Sequence, residues 1–112
     1  MAGKFELRVS AAGLFSFVLK AGNGQVILVS EQYKSKASAQ NGIASVQRNA
    51  ADDARFQRKT SKKGKPYFVL LAANGQVIGQ SEEYSSAGSL ENGINSVRKH
   101  SAQAAIEDKT KA

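Results

Sequence analysis

The chain has 112 residues, enough for one domain that removes roughly 65% of its unfolded surface from water. It has no cysteine and a single histidine, His100, which excludes disulfides, thiolate metal sites and cysteine nucleophiles together. Sixteen Lys and Arg against nine Asp and Glu give a net charge of +7, a pull toward polyanions that specifies none of them.

In chain order, "KFELRVS" sets Phe5, Leu7 and Val9 against polar neighbours, the period of a half-buried strand. "AAGL" supplies a loop with Gly13 free to take a positive φ, and "FSFVLKA" puts Phe15, Phe17, Leu19 and Ala21 on one face of a second strand. Asn23-Gly24 predicts a type I′ hairpin turn, and "QVILVSE" completes a three-strand meander. From Ser35, a predicted N-cap, the period changes: Ala39, Ile43, Val46 and Ala50 recur at helical spacing. Gly42 stands mid-helix, where it costs about 1 kcal/mol against alanine, and this predicts a close approach of helix and sheet backbones or a kink.

The same order then begins again. Sliding the chain by fifty-one positions aligns residues 5–54 with 56–105 without a gap, and 24 of the 50 pairs are identical. "NGQVI" occurs at 23–27 and 74–78, "SExY" at 30–33 and 81–84, and "NGIxSV" at 41–46 and 92–97. The second helix answers the first with Leu90, Ile94, Val97 and Ala102, with Ser101 interrupting the stripe, and "AIEDKTK" offers a last strand. Two copies are too few for an open solenoid, so they are expected to close on each other. The expected fold class is α+β: one domain, 1–112, made of two tandem β-β-β-α(-β) repeats (4–54 and 55–108) in a pseudo-two-fold antiparallel sheet with both helices on one face.

The paired blocks resemble the YegP-like family of small bacterial proteins of uncharacterised function, across essentially the whole chain. The resemblance implies a β3-α-β unit duplicated around a continuous sheet with terminal strands exchanged between halves. It brings no catalytic residues. Copy two departs at Gly79 and Gln80, where Leu28 and Val29 stand in copy one, which predicts a less buried strand.

Charge concentrates in "RFQRKTSKKGK", residues 55–65. Arg58, Lys59, Lys62, Lys63 and Lys65, with Tyr67 and Leu71 expected on the outward face of the following strand, form the candidate contact surface for a partner or nucleic acid. Lysines around a turn also keep a sheet edge soluble, and an outward apolar stripe also suits self-association. "KGKPYFVLL" fails the RNA-recognition strand signature at Lys65 and Pro66, and "GNGQVI" fails as a phosphate loop because it opens no helix. Ser30, Glu31 and Tyr33, recurring as Ser81, Glu82 and Tyr84, read as a strand end with a packed tyrosine, without the partners acid-base chemistry needs. Asp52-Asp53 reads as a solvated link, and His100 as a side chain suited to a helix C-terminus. No apolar run reaches a membrane span and "MAGKFELRVS" lacks a signal core. The expectation is a non-catalytic cytoplasmic binding or interaction module without cofactor, metal or membrane, with a protein partner, weak homodimer or nucleic acid open, and an enzyme third.

Overall fold

The computed structural model describes residues 3–102 and 104–110. Strands β1 (Lys4–Val9), β2 (Phe15–Lys20) and β3 (Val26–Ser30) precede helix α1 (Lys36–Asn49). A single 3₁₀ turn, Asp53–Arg55, leads into β4 (Phe56–Thr60), β5 (Pro66–Leu71), β6 (Val77–Gln80), helix α2 (Ala87–Ser101) and β7 (Ala105–Asp108).

All four hairpins use one turn. Gly24 N–H donates to the Ala21 carbonyl at 2.9 Å and Ala21 N–H to the Gln25 carbonyl at 2.9 Å, with Gly24 at φ 86°. The pattern repeats at Ser10–Leu14, Ser61–Lys65 and Ala72–Gln76. It is a three-residue loop ending in a left-handed glycine bulge. The type I′ expectation fails because no described residue other than glycine has positive φ, and a glycine bulge needs only its last residue left-handed.

The seven strands form one sheet in the order β4-β5-β6-β3-β2-β1-β7. Its seam is the antiparallel pairing of β3 with β6, where Val29 faces Gln80, its own equivalent fifty-one residues on. That pair marks the pseudo-two-fold axis. The sheet is mixed, since β7 crosses from copy two to lie parallel to β1, Phe5 opposite Ile106. The exchange of terminal strands is one-sided, because the segment after α1 runs directly into β4 and has no length to spare. Among the described residues nothing pairs with the outer edge of β4, and its residues answer to that. Leu7, fully buried between β7 and α1, has Arg58 as its counterpart, and buried Glu6 has exposed Gln57.

Both helices lie over the face carrying Phe5, Leu7, Phe17, Leu19 and Leu28 from copy one and Phe56, Phe68, Leu70 and Ile78 from copy two, and one interior joins the halves. Ser35 caps α1 by accepting from Ser38 N–H at 3.1 Å, and Ser86 caps α2 in the same way. Ala39, Ile43, Val46 and Ala50 are all buried as their spacing predicts. In α2 the stripe ends at Ser101, 1% exposed, while Ala102 is exposed. The serine holds the Ala50 position because it is small, and the interruption read from sequence is a continuation.

Gly42 marks neither a kink nor a backbone contact. The Tyr33 ring stacks on Phe17, centroids 6.3 Å apart, and slides beneath α1 where a side chain would stand. Tyr84, Phe68 and Gly93 repeat this with a 6.2 Å separation. Gly79 is buried, against expectation: a Cβ there would fall 2.7 Å from the Val29 carbonyl oxygen and 3.2 Å from Leu28 Cγ. Beside the axis there is room for one leucine, and Leu28 has it.

Candidate functional site

With both helices on one side, the other side of the sheet stays open. Strand alternation sends Val18, Val69, Tyr67 and Leu71 there, and cross-strand register lines up a row running Gln57, Val69, Gln80, Val29, Val18, Glu6, Glu107. The middle of this row is apolar except for exposed Gln80, which flanks the pseudo-two-fold axis opposite Val29. Val18 and Val69 are sheltered by their neighbours, whereas Val29 and Val77 are 39% and 36% exposed.

One end of the row is an ion cluster. Glu6 is 4% exposed yet accepts from Lys20 Nζ and Arg8 at 2.7 Å each, with Lys4 Nζ at 3.6 Å. These cations, Lys20 first, hold its carboxyl down at about 2 despite the opposing effect of burial. Lys4 also reaches Glu107 at 3.0 Å, and Lys36 pairs with Asp108, so charge ties β7 to β1 and α1. Hydrogen bonds from Lys109 and Lys4 lower the Glu107 carboxyl, and one from Lys36 lowers that of Asp108. Lone Glu6 between apolar strand positions in "KFELR" gave no sign of this burial.

The candidate basic surface divides. Lys59 stands directly opposite Tyr67 on the open face, with Leu71 further along β5, and Lys62, Lys63 and Lys65 are exposed in the β4–β5 turn. Arg58 is on the helix side. Its Nε and Nη2 donate to both Glu91 carboxylate oxygens at 2.7 and 2.8 Å, and Nη2 to Asp53 at 3.1 Å. Glu91 and then Asp53 raise its affinity for its proton. Asp52-Asp53 is correspondingly more than a solvated link: Asp52 accepts from Ala54 N–H at 3.0 Å to start the 3₁₀ turn, and Asp53 meets Arg58 and Arg98.

The recurring serines close strand ends as read. Ser30 Oγ accepts from Phe17 N–H at 2.8 Å and donates to the Glu31 carbonyl at 2.7 Å, and Ser81 does the same with Phe68 and Glu82. Burial, then the adjacent Glu31, pushes the Tyr33 phenol up, and burial with Glu82 does so for Tyr84. Both remain protonated donors at neutral pH.

Sequence reading missed two grooves related by the pseudo-two-fold. One, of 680 Å³, separates α1 from the β5–β6 turn and is lined by Glu31, Tyr33, Asn41 and Ser45 with Gln76. The other, of 300 Å³, lies between α2 and the β2–β3 turn, with Glu82, Tyr84, Asn92 and Ser96 facing Gln25. The identities in the two copies were visible, but that each helix faces the other copy's turn was not. Among the described residues, no cluster of three or more His, Asp or Glu is placed to hold a metal, and no helix is long and apolar enough to cross a membrane.

A duplicated three-strand-and-helix unit closed across a β3–β6 seam defines a tandem-repeat α+β module. The chain belongs to the DUF1508 family, described as a domain of unknown function, whose profile matches residues 10–57 and 61–108. It is 54% identical to a UPF0339 protein of Acinetobacter baylyi over 110 residues, covering 98% of this chain and 99% of that one. It is 52% identical to the UPF0339 protein YegP of Escherichia coli O157:H7, covering 98% and 100%. Two solution NMR structures share the fold at 50% identity. A UPF0339 protein of Shewanella oneidensis superposes with TM-score 0.92 over 98% of this chain and 93% of its own, and Escherichia coli yegP, a protein of unknown function, with 0.94 over 100% and 97%.

Proposed function

We propose that the protein is a non-catalytic binding module whose open sheet face holds a protein partner. The observation that carries this is the position of both helices on one side, which leaves on the other face an apolar strip interrupted by Gln80, in which Val29 and Val77 are exposed, Tyr67 and Leu71 half-buried, and Val18 and Val69 packed down between their neighbours. Such a strip, rimmed by Lys59 at one end and the Glu6 cluster at the other, has the apolar centre and polar rim of a recognition surface.

A second reading rests on a different observation. Lys59 directly opposite Tyr67, with Lys62, Lys63 and Lys65 beyond, is an aromatic platform beside cations, as single-stranded nucleic acids require. The capture of Arg58 by Glu91 weakens that reading relative to the first.

Capture from lysate with the wild-type chain and with Val29→Glu, each with and without nuclease, separates the two. The leading reading expects a protein captured despite nuclease and lost with Val29→Glu. Capture that ignores Val29→Glu contradicts it, and capture abolished by nuclease favours the second reading.

A further inference from the structure

Most identical polar pairs in the two copies have a duty in the fold. Ser10 and Ser61 brace turns, as do Asn23 and Asn74; Ser30 and Ser81 close strands; Ser35 and Ser86 cap helices. Four pairs lack such a duty in both copies: Gln25/Gln76, Glu31/Glu82, Asn41/Asn92 and Ser45/Ser96. Among the described residues, the one hydrogen-bond partner of these eight side chains is Asn49, which donates to Ser45 at 3.1 Å, and the copy-two counterpart of Asn49 is His100. Their neighbours have diverged, Gln40 to Glu91, Ala44 to Asn95 and Gln47 to Arg98, so position on the helix does not account for the identity. All four pairs line the twin grooves.

Each groove is a composite. Glutamate, tyrosine, asparagine and serine come from one copy, and glutamine comes from the turn of the other. A single unit cannot build it. The floor is apolar, Ala72 and Ile78 in one groove and Ala21 and Ile27 in its counterpart.

The shared lining also restricts the ligand. Glu31 in the larger groove and Glu82 with Glu83 in the smaller one, and no cation common to both, disfavour an anion, while Arg48 in the larger groove disfavours a cation for any ligand that both grooves take. What remains is a neutral molecule with several donors and acceptors and one apolar face. We propose that each groove holds one neutral sugar unit, its hydroxyls donating to Glu31 or Glu82 and bonding the amides of Asn41 and Gln76 or of Asn92 and Gln25, with its C–H face on the alanine and isoleucine. Both grooves have room for a monosaccharide unit, the larger with space to spare, and the module then carries two sites per chain.

The test is amide NMR of the isotope-labelled full chain titrated with glucose, galactose and N-acetylglucosamine in turn, at millimolar concentration. At least one sugar is expected to give saturable shifts at the side-chain amides of Asn41, Gln76, Asn92 and Gln25. Asn41→Ala is expected to weaken the first groove about tenfold and leave the second intact, and Gln25→Ala to do the reverse, consistent with one lost hydrogen bond. No saturable shift with any of the three sugars overturns the proposal. Shifts confined to other surfaces overturn it too, as do groove shifts indifferent to both variants. Val29→Glu, which disables the open face, leaves the sugar shifts unchanged, so this result and the fate of the partner surface are read separately.

Discussion

A Cβ added at Gly42 would lie 2.5 Å from the Tyr33 hydroxyl and 2.9 Å from the Phe17 ring. Helix propensity alone says that Gly42→Ala stabilises by about 1 kcal/mol. Overpacking of this kind costs about 1–3 kcal/mol, and here both the aromatic ring and the strand beneath it resist displacement. Gly42→Ala and Gly93→Ala are therefore expected to lower stability in denaturant titration, and Tyr33→Phe, by removing the nearest atom, to shrink the Gly42→Ala penalty.

The two sides of the axis are unequal, and their substitutions should be unequal as well. Leu28→Ala empties a fully buried position and is expected to cost about 2–5 kcal/mol. Gly79→Ala, far from restoring symmetry, drives a methyl against the Val29 carbonyl and is expected to destabilise by about 1–3 kcal/mol. Restoring the repeat with Gly79→Leu should be the most damaging of the three by thermal melting.

Acid should loosen one half first. The folded Glu6 carboxyl is held at about 2, below its ordinary 4.5, so the stability it contributes is fully present above about 4.5 and is lost as pH falls toward 2. Copy two carries Gln57 at this position. Hydrogen exchange between those pH values is expected to show β1 and β7 opening before β4 and β5. Glu6→Gln is expected to narrow the difference to what the ion pairs of Glu107 and Asp108 contribute, with a loss of about 2–3 kcal/mol at neutral pH from a buried site whose three cations are left facing an amide.

Arg58 and the turn lysines should part company in any polyanion assay. Arg58→Ala costs at most about 1 kcal/mol, because its ion pairs are partly exposed, and leaves oligonucleotide affinity unchanged, since Glu91 and Asp53 already occupy its guanidinium. Lys62→Glu with Lys63→Glu, by contrast, is expected to flatten the salt dependence of single-strand binding, each lost phosphate contact removing about 0.7 from the logarithmic slope.

Periodicity and repetition carried most of the fold. Alternation placed Phe5, Leu7, Phe17 and Leu19, helical spacing placed Ala39, Ile43 and Val46, and the fifty-one-residue shift carried these assignments into copy two. What escaped were relationships between elements. Glu6 is buried by cations from two strands and Gly42 is dictated by a tyrosine nine residues away. Gly79 yields to a leucine across the axis, and the parallel seat of β7 depends on which edge lay free. The candidate surface was half legible for the same reason. Tyr67 and Leu71 follow from alternation, whereas Arg58 turned to the helix side because Glu91 stands there. The grooves were hidden in plain identities, since no local pattern shows a helix facing the other copy's turn.

Both proposed sites require the two copies to be one body, for the open strip crosses the β3–β6 seam and each groove draws on both halves. Native-state hydrogen exchange in increasing denaturant at neutral pH tests this directly through the amides of Phe17 and Leu19 in β2 and of Phe68 and Leu70 in β5. The account predicts that all four exchange by a single global opening with one free energy and one denaturant slope. Two groups, β2 apart from β5, each with its own free energy and about half the slope, would contradict it.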